Sequence, residues 1–173
     1  MPITVVLDNI RSAYNVGAIM RTLDAVGGGE IICCGITPYP ELPGDDRSPV
    51  VRSANTRSIV KTALGAQEAL TVTHERSALA AIDRLRAARA VTVLAVERSD
   101  ASVDLFEFES PAEKPLALVF GSEVGGIDPD TLAACDAVLE IPQFGVKNSL
   151  NVSVAAGIAL YALGARVIYD PGR

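Results

Sequence analysis

Apolar residues arrive along the chain in short blocks separated by polar breaks that often carry glycine. Residues 3–8, ITVVLD, are β-branched and too few for a helix, so they read as a strand. Val16, Ile19, Met20, Leu23 and Val26 recur at three- and four-residue spacing. That spacing predicts a helix, with Asn15 as its cap and glycines 27–29 as its stop. Residues 30–36 (EIICCGI) form a second buried run, and 68–74 (EALTVTH) contain a third. Residues 77–90 alternate as an amphipathic helix, with Ser77 at the cap and arginines at the end that suits the helix dipole. Strands follow at 91–97, 115–121 and 137–142, with a short helix over 128–135 and a long apolar helix near the C-terminus. Residues 37–57, rich in proline and charge, read as an irregular loop, and 58–65 hold at most a helical turn.

Strand and helix alternate, and most strands are apolar on both faces. This is the pattern of an α/β domain with a largely parallel sheet. Ligands of such sheets sit at the carboxyl ends of the strands.

Composition narrows the picture. A chain of 173 residues with 49% apolar content is one domain with a real core. No run approaches the roughly 18 to 20 apolar residues that cross a bilayer, and the N-terminus lacks the charge-then-apolar order of a secretory signal. A cytoplasmic protein without membrane attachment is expected. Cys33 and Cys34 are adjacent in an apolar run and Cys135 stands alone, as buried reduced thiols would. His74 is the one histidine, and no ligand spacing suggests a metal. The net charge of −6 argues against nucleic acid, yet residues 47–61 carry Arg47, Arg52, Arg57 and Lys61 with no acidic residue. Phosphate binding needs a local positive surface rather than a positive total. A solvated segment explains the same residues.

Three polar, glycine-bearing segments stand where strands end. They are DNIRSAYNVGAIMRT, FGSEVGGID and IPQFGVKNSLNVSVA. Neither G-x-G-x-x-G nor a P-loop nor G-x-S-x-G occurs. In order, N-x-G-A-I-x-R-T, G-x-E-x-x-G and I-P…S-L-N-V-S-V-A resemble the three motifs of the SpoU/TrmH class of SPOUT RNA methyltransferases. The resemblance covers nearly the whole chain.

It implies a parallel-sheet SPOUT (α/β-knot) fold whose C-terminal segment forms a deep trefoil knot. It implies S-adenosylmethionine as cofactor, S-adenosylhomocysteine as product, and a homodimer that methylates a ribose 2′-hydroxyl of tRNA or rRNA. The chain is read as a single catalytic domain, residues 1–173, without a separate RNA-binding domain. A catalytically silent RNA-binding relative is the alternative. Gly121, Ile141 and Leu150 match the family's cofactor contacts, and Ala95, Val96 and Glu97 are expected along the same pocket. Arg21 matches the residue placed at the ribose hydroxyl from the partner subunit. A free deprotonated arginine would cost on the order of 7 kcal/mol near neutral pH, so the general base stays open. Glu123 can hold either Arg21 or Asn15 and its loop. Ser149 and Asn151 match motif positions that place Arg21, the RNA phosphate or the cofactor, while Asn148 or Ser149 can cap the last helix. Arg11 is a phosphate contact or a surface ion pair, and Arg52, Arg57 and Lys61 are candidates for RNA docking.

Overall fold

The computed structural model describes residues 3–109, 114–146 and 149–168, with side chains up to residue 164 in the last stretch. Its strands are β1 (Ile3–Asp8), β2 (Glu30–Cys34), β3 (Thr71–Glu75), β4 (Thr92–Val96), β5 (Val103–Asp104), β6 (Leu116–Phe120) and β7 (Ala137–Glu140). They form one sheet in the order β3-β2-β1-β6-β4-β7-β5. Every strand pairing in it is parallel.

Helices cover both faces, which is what lets β1, β2 and β6 be apolar on both sides. Because side chains alternate along a strand, successive residues feed different cores. Val5, Leu7, Ile31, Leu94, Leu118 and Phe120 pack with α1 (Ala13–Ala25) and α6 (Val152–Ile168). Val6, Ile32, Val93, Ala95, Ala117 and Val119 pack with α4 (Ala78–Ala88) and the neighbourhood of α5 (Pro129–Ala133). Each fully buried aliphatic side chain contributes about 1.5–3 kcal/mol.

Two expectations from the sequence change here. The first concerns residues 37–57, read as a loop. Their second half belongs to α2 (Pro49–Ala63), a helix of 15 residues. Ser48 caps it, accepting the Val51 N–H at 3.4 Å, and Pro49 occupies its first turn, where a missing N–H costs nothing. Only Ile59 and Ala63 are buried, so the apolar periodicity that normally marks a helix is missing. A one-turn helix, α3 (Ala66–Ala69), follows. The second concerns α1. Its cap is Ser12, which accepts the Asn15 N–H at 3.3 Å, and this frees the Asn15 side chain.

Gly17 sets the crossing of α1 and α2. A Cβ there would lie 2.3 Å from the Ile59 carbonyl oxygen and 2.2 Å from Thr62 Oγ1. The Thr62 hydroxyl donates to the Tyr14 carbonyl at 2.9 Å across the same contact. The residues before α2 are pinned as well. Arg47 lies 3.3 Å over the Tyr39 ring, which stacks on His74 at 4.5 Å. His74 is an exposed residue of β3 and part of this packing device.

Candidate active site

The carboxyl ends of β4 and β6, the segment after β7 and the start of α6 enclose a cleft of 560 Å³. That lies within the range of small-molecule sites. Val96, Glu97, Phe120, Gly121, Ile141 and Leu150 are among its walls, with Glu123, Ser149 and Asn151 along it.

Gly121 ends β6 where the turn 122–126 folds back. A Cβ on Gly121 would meet the Gly126 carbonyl carbon at 2.3 Å and the Ile127 nitrogen at 2.5 Å. The turn closes through reciprocal backbone bonds between Ser122 and Gly126, at 3.1 and 3.0 Å. Gly126 adopts φ +64°, which glycine alone takes without cost. This turn presents Glu123. Its Oε1 accepts from Asn15 Nδ2 at 2.9 Å, and its Oε2 accepts the Arg11 N–H at 3.3 Å. Burial pushes the Glu123 carboxyl up. Its backbone N–H, the Asn15 amide, the Arg11 N–H and the Arg11 charge together outweigh that and hold it below the usual glutamate value.

Asn15 also faces the third segment. Its Oδ1 accepts from Asn151 Nδ2 at 3.3 Å. Asn151 in turn caps α6, its Oδ1 accepting the Ser153 N–H at 2.8 Å and the Ser153 hydroxyl at 2.6 Å. One asparagine on α1 thus connects the β6 turn to the entrance of α6. The residues quoted as three separate motifs meet in a chain of hydrogen bonds at the edge of one cleft. The cap of α6 is Asn151; Asn148, a candidate for that task, lies outside the described residues, and Ser149 lines the cleft instead.

Other expected site residues fall differently. Val96 and Glu97 line the cleft, but Ala95 is fully buried on the opposite side of β4, as strand alternation requires. Arg21 is just under two turns along α1 from Asn15. It lines a second depression of 510 Å³ with Lys61, Thr62, Leu64 and Tyr161, and Glu123 holds Asn15 rather than Arg21. Arg52 pairs with Glu41 at 3.0 Å and donates to the Asp45 carbonyl at 3.3 Å. Arg47 is committed to Asp45 and Tyr39. Of the basic segment, Arg57 and Lys61 remain exposed and without an ion pair among the described residues. Arg98 and Gln143 also line the cleft and were not expected there. For Arg98 the signal was its place one residue past Glu97 at a strand end.

Similarity to known proteins agrees with this geometry. A family model described as the SpoU rRNA methylase family matches residues 48–161. The chain is 31% identical over 159 residues to a tRNA (guanosine(18)-2′-O)-methyltransferase of Escherichia coli, covering 92% of this chain and 61% of that protein. It is 34% identical to a 23S rRNA (guanosine-2′-O-)-methyltransferase of a Burkholderia species, covering 92% of this chain and 58% of the other. The chain therefore spans about three-fifths of the curated relatives it matches. The crystal structure of an AdoMet-bound rRNA methyltransferase from Sinorhizobium meliloti superposes with a TM-score of 0.76 at 28% identity, over 97% of this chain and 57% of that one. The parallel sheet and its strand order are those of the α/β-knot fold.

Proposed function

The chain belongs to the SpoU rRNA methylase family, and we propose that it is an S-adenosylmethionine-dependent RNA 2′-O-ribose methyltransferase acting on tRNA or rRNA. It would work in the cytoplasm as a homodimer. The observation that carries this reading is Asn15, whose amide joins Glu123 and Asn151 and so gathers the three motifs at one cleft.

The cleft fits the cofactor. Gly121 leaves room at the end of β6, and Val96, Ile141 and Leu150 offer apolar walls for a flat purine. These residues would hold it; when bound, it supplies an electrophilic methyl group. The chain supplies placement and charge. Well-aligned reacting groups gain about 7 to 11 kcal/mol from proximity alone. Asn15, Glu123 and Asn151 fix the rim of the cleft, and Ser149 stands beside them.

Arg21 would complete a partner's cleft, orienting the ribose hydroxyl and stabilising negative charge as its proton leaves. Its place further along α1 than Asn15, in the second depression and not in the cleft, supports a second subunit as the source of this arginine. Arg11, Arg57 and Lys61 would contact RNA phosphates, with Arg52 contributing only if its bond to Glu41 opens. RNA recognition is assigned to these surfaces of the domain and its dimer.

The test is methyl incorporation from labelled S-adenosylmethionine into bulk RNA, followed by mapping of 2′-O-methyl sites in RNA from a strain lacking the gene and from its parent. Incorporation at a ribose, lost in the deletion, is expected. Cofactor binding without incorporation into any RNA would make the chain a silent RNA-binding homologue.

A further inference from the structure

Charge in the cleft is unevenly matched. Two carboxylates line it, and both are engaged by protein donors. Glu123 accepts from Asn15 and Arg11, as described above. Glu97 Oε1 accepts the Arg98 N–H at 2.9 Å, and its Oε2 accepts the Ile127 N–H at 3.3 Å. Glu97 is thus a staple between the end of β4 and the turn after β6. It is packed so tightly that a Cβ on Gly126 would lie 2.5 Å from its Oε2.

Arg98 is different. It is the one cation among the described residues lining the cleft, and it is exposed at the rim. Its guanidinium makes no hydrogen bond or ion pair among the described residues. A guanidinium offers a planar fork of donors that matches a carboxylate in two parallel bonds. Here that fork stands directly beyond Val96 and Glu97, at the rim of the same cleft whose walls include Gly121, Ile141 and Leu150.

Resting on the cofactor reading above, we propose that the Arg98 guanidinium holds the carboxylate at the amino-acid end of the cofactor. The apolar wall then selects the adenosine and Arg98 selects the charged tail, so the ligand is gripped at both ends. Glu97 serves this task indirectly. By accepting the Arg98 N–H it fixes the backbone from which the guanidinium reaches.

The experiment compares two nucleosides by calorimetry on the wild-type, R98Q and R98K proteins. S-adenosylhomocysteine carries the amino-acid carboxylate; methylthioadenosine has the same adenosine and sulfur without it. R98Q should weaken S-adenosylhomocysteine about tenfold, as expected for one charge-assisted contact, and leave methylthioadenosine within about twofold. R98K should fall between. Equal weakening of both ligands, or unchanged binding of both, overturns the assignment. If binding is unchanged while the KM for RNA rises, the guanidinium serves an RNA phosphate. Wild-type protein that binds neither nucleoside overturns the cofactor reading, and the Arg98 assignment with it. The change in ligand ratio separates these cases, since a misfolded variant would lose both.

Discussion

Two polar clusters in this molecule use charge in opposite ways. Beneath α4, Glu30 accepts from Arg84 at 2.9 Å and Arg89 at 3.2 Å, and Arg84 also reaches Glu75 at 3.1 Å. Thr4 joins, accepting from Arg89 at 2.8 Å and donating to Glu30 at 3.3 Å. Every charge there has an opposite charge beside it. At the cleft, Glu123 is met by an amide and a backbone N–H instead. Arg98 and Arg21 stand nearby or on the adjoining helix face without a partner among the described residues. A chain that neutralises one cluster and leaves another unmatched has used the first for its fold. On the function proposed above, the second is left for the cofactor and the RNA.

The sharpest way to break that contrast is to remove an unmatched charge. Arg21→Ala should lower methyl transfer by about 10²–10³-fold or more, the scale of losing a group that stabilises developing charge. Affinity for S-adenosylhomocysteine should stay within about twofold, and thermal stability should barely move. Single-turnover transfer and calorimetry check both. An active Arg21→Ala enzyme would remove the basis for calling this charge reserved.

Next in size is the hinge of the network. Asn151 caps α6 and donates to Asn15, so Asn151→Ala removes two things at once. The cap is worth about 1 kcal/mol. Asn151→Ser keeps an oxygen for the cap but is too short to reach Asn15. Activity should fall about tenfold or more in both variants, while denaturant unfolding should show the stability loss in the alanine variant alone. Full activity in both variants, with the stability loss still confined to alanine, would reduce Asn151 to a cap.

The sequence showed the strands and the motifs more clearly than the way they connect. β1, β6 and β4 announce themselves because buried parallel strands are continuous apolar runs. α2 does not, because only Ile59 and Ala63 face the core and the rest of the helix is polar. Its signal lay in Ser48-Pro49, a cap followed by a proline in the first turn. The same limit applied at the site. Asn15, Glu123 and Asn151 could be named from motif order, but their contacts span 108 and 136 positions and come from the pairing of β1 with β6 and the packing of α6 on α1. Ala95 failed as a cleft residue for a local reason, the two-residue period of β4. Arg52 is tied down because Glu41, on a segment read as loop, is brought against α2.

On the matched side of the comparison the effect should be smaller and of another kind. Glu30→Gln leaves Arg84 and Arg89 facing a neutral amide. The pairs are partly exposed, so the cost should be about 1–2 kcal/mol. Transfer by the folded protein should be unchanged. A loss of activity without a loss of stability would mean that the α4 cluster is not merely structural.

The smallest expected effects come from two carboxyls at neighbouring strand ends, and they carry opposite signs. Glu123 is held below its ordinary value of 4.5 by the donors around it, against the push of burial. Its ionised form favours the fold, so its contribution is present above 4.5 and is lost as pH falls through the lower folded value. Asp8, at the end of β1, is raised above 3.8, first by burial and then by the nearby Asp128 charge. Its protonated form favours the fold, so that contribution is present below 3.8 and is lost as pH rises through the higher folded value. Urea unfolding across mildly acidic pH should therefore respond in two directions. Glu123→Gln should remove a loss of stability on acidification. Asp8→Asn, which keeps an oxygen for the 2.9 Å bond from Asn9, should remove a loss on moving toward neutral pH. The two variants bent the same way would show that the Glu123 carboxylate is not sustained by Asn15 and Arg11. The contrast between a carboxylate provided with donors and one merely buried would then be lost.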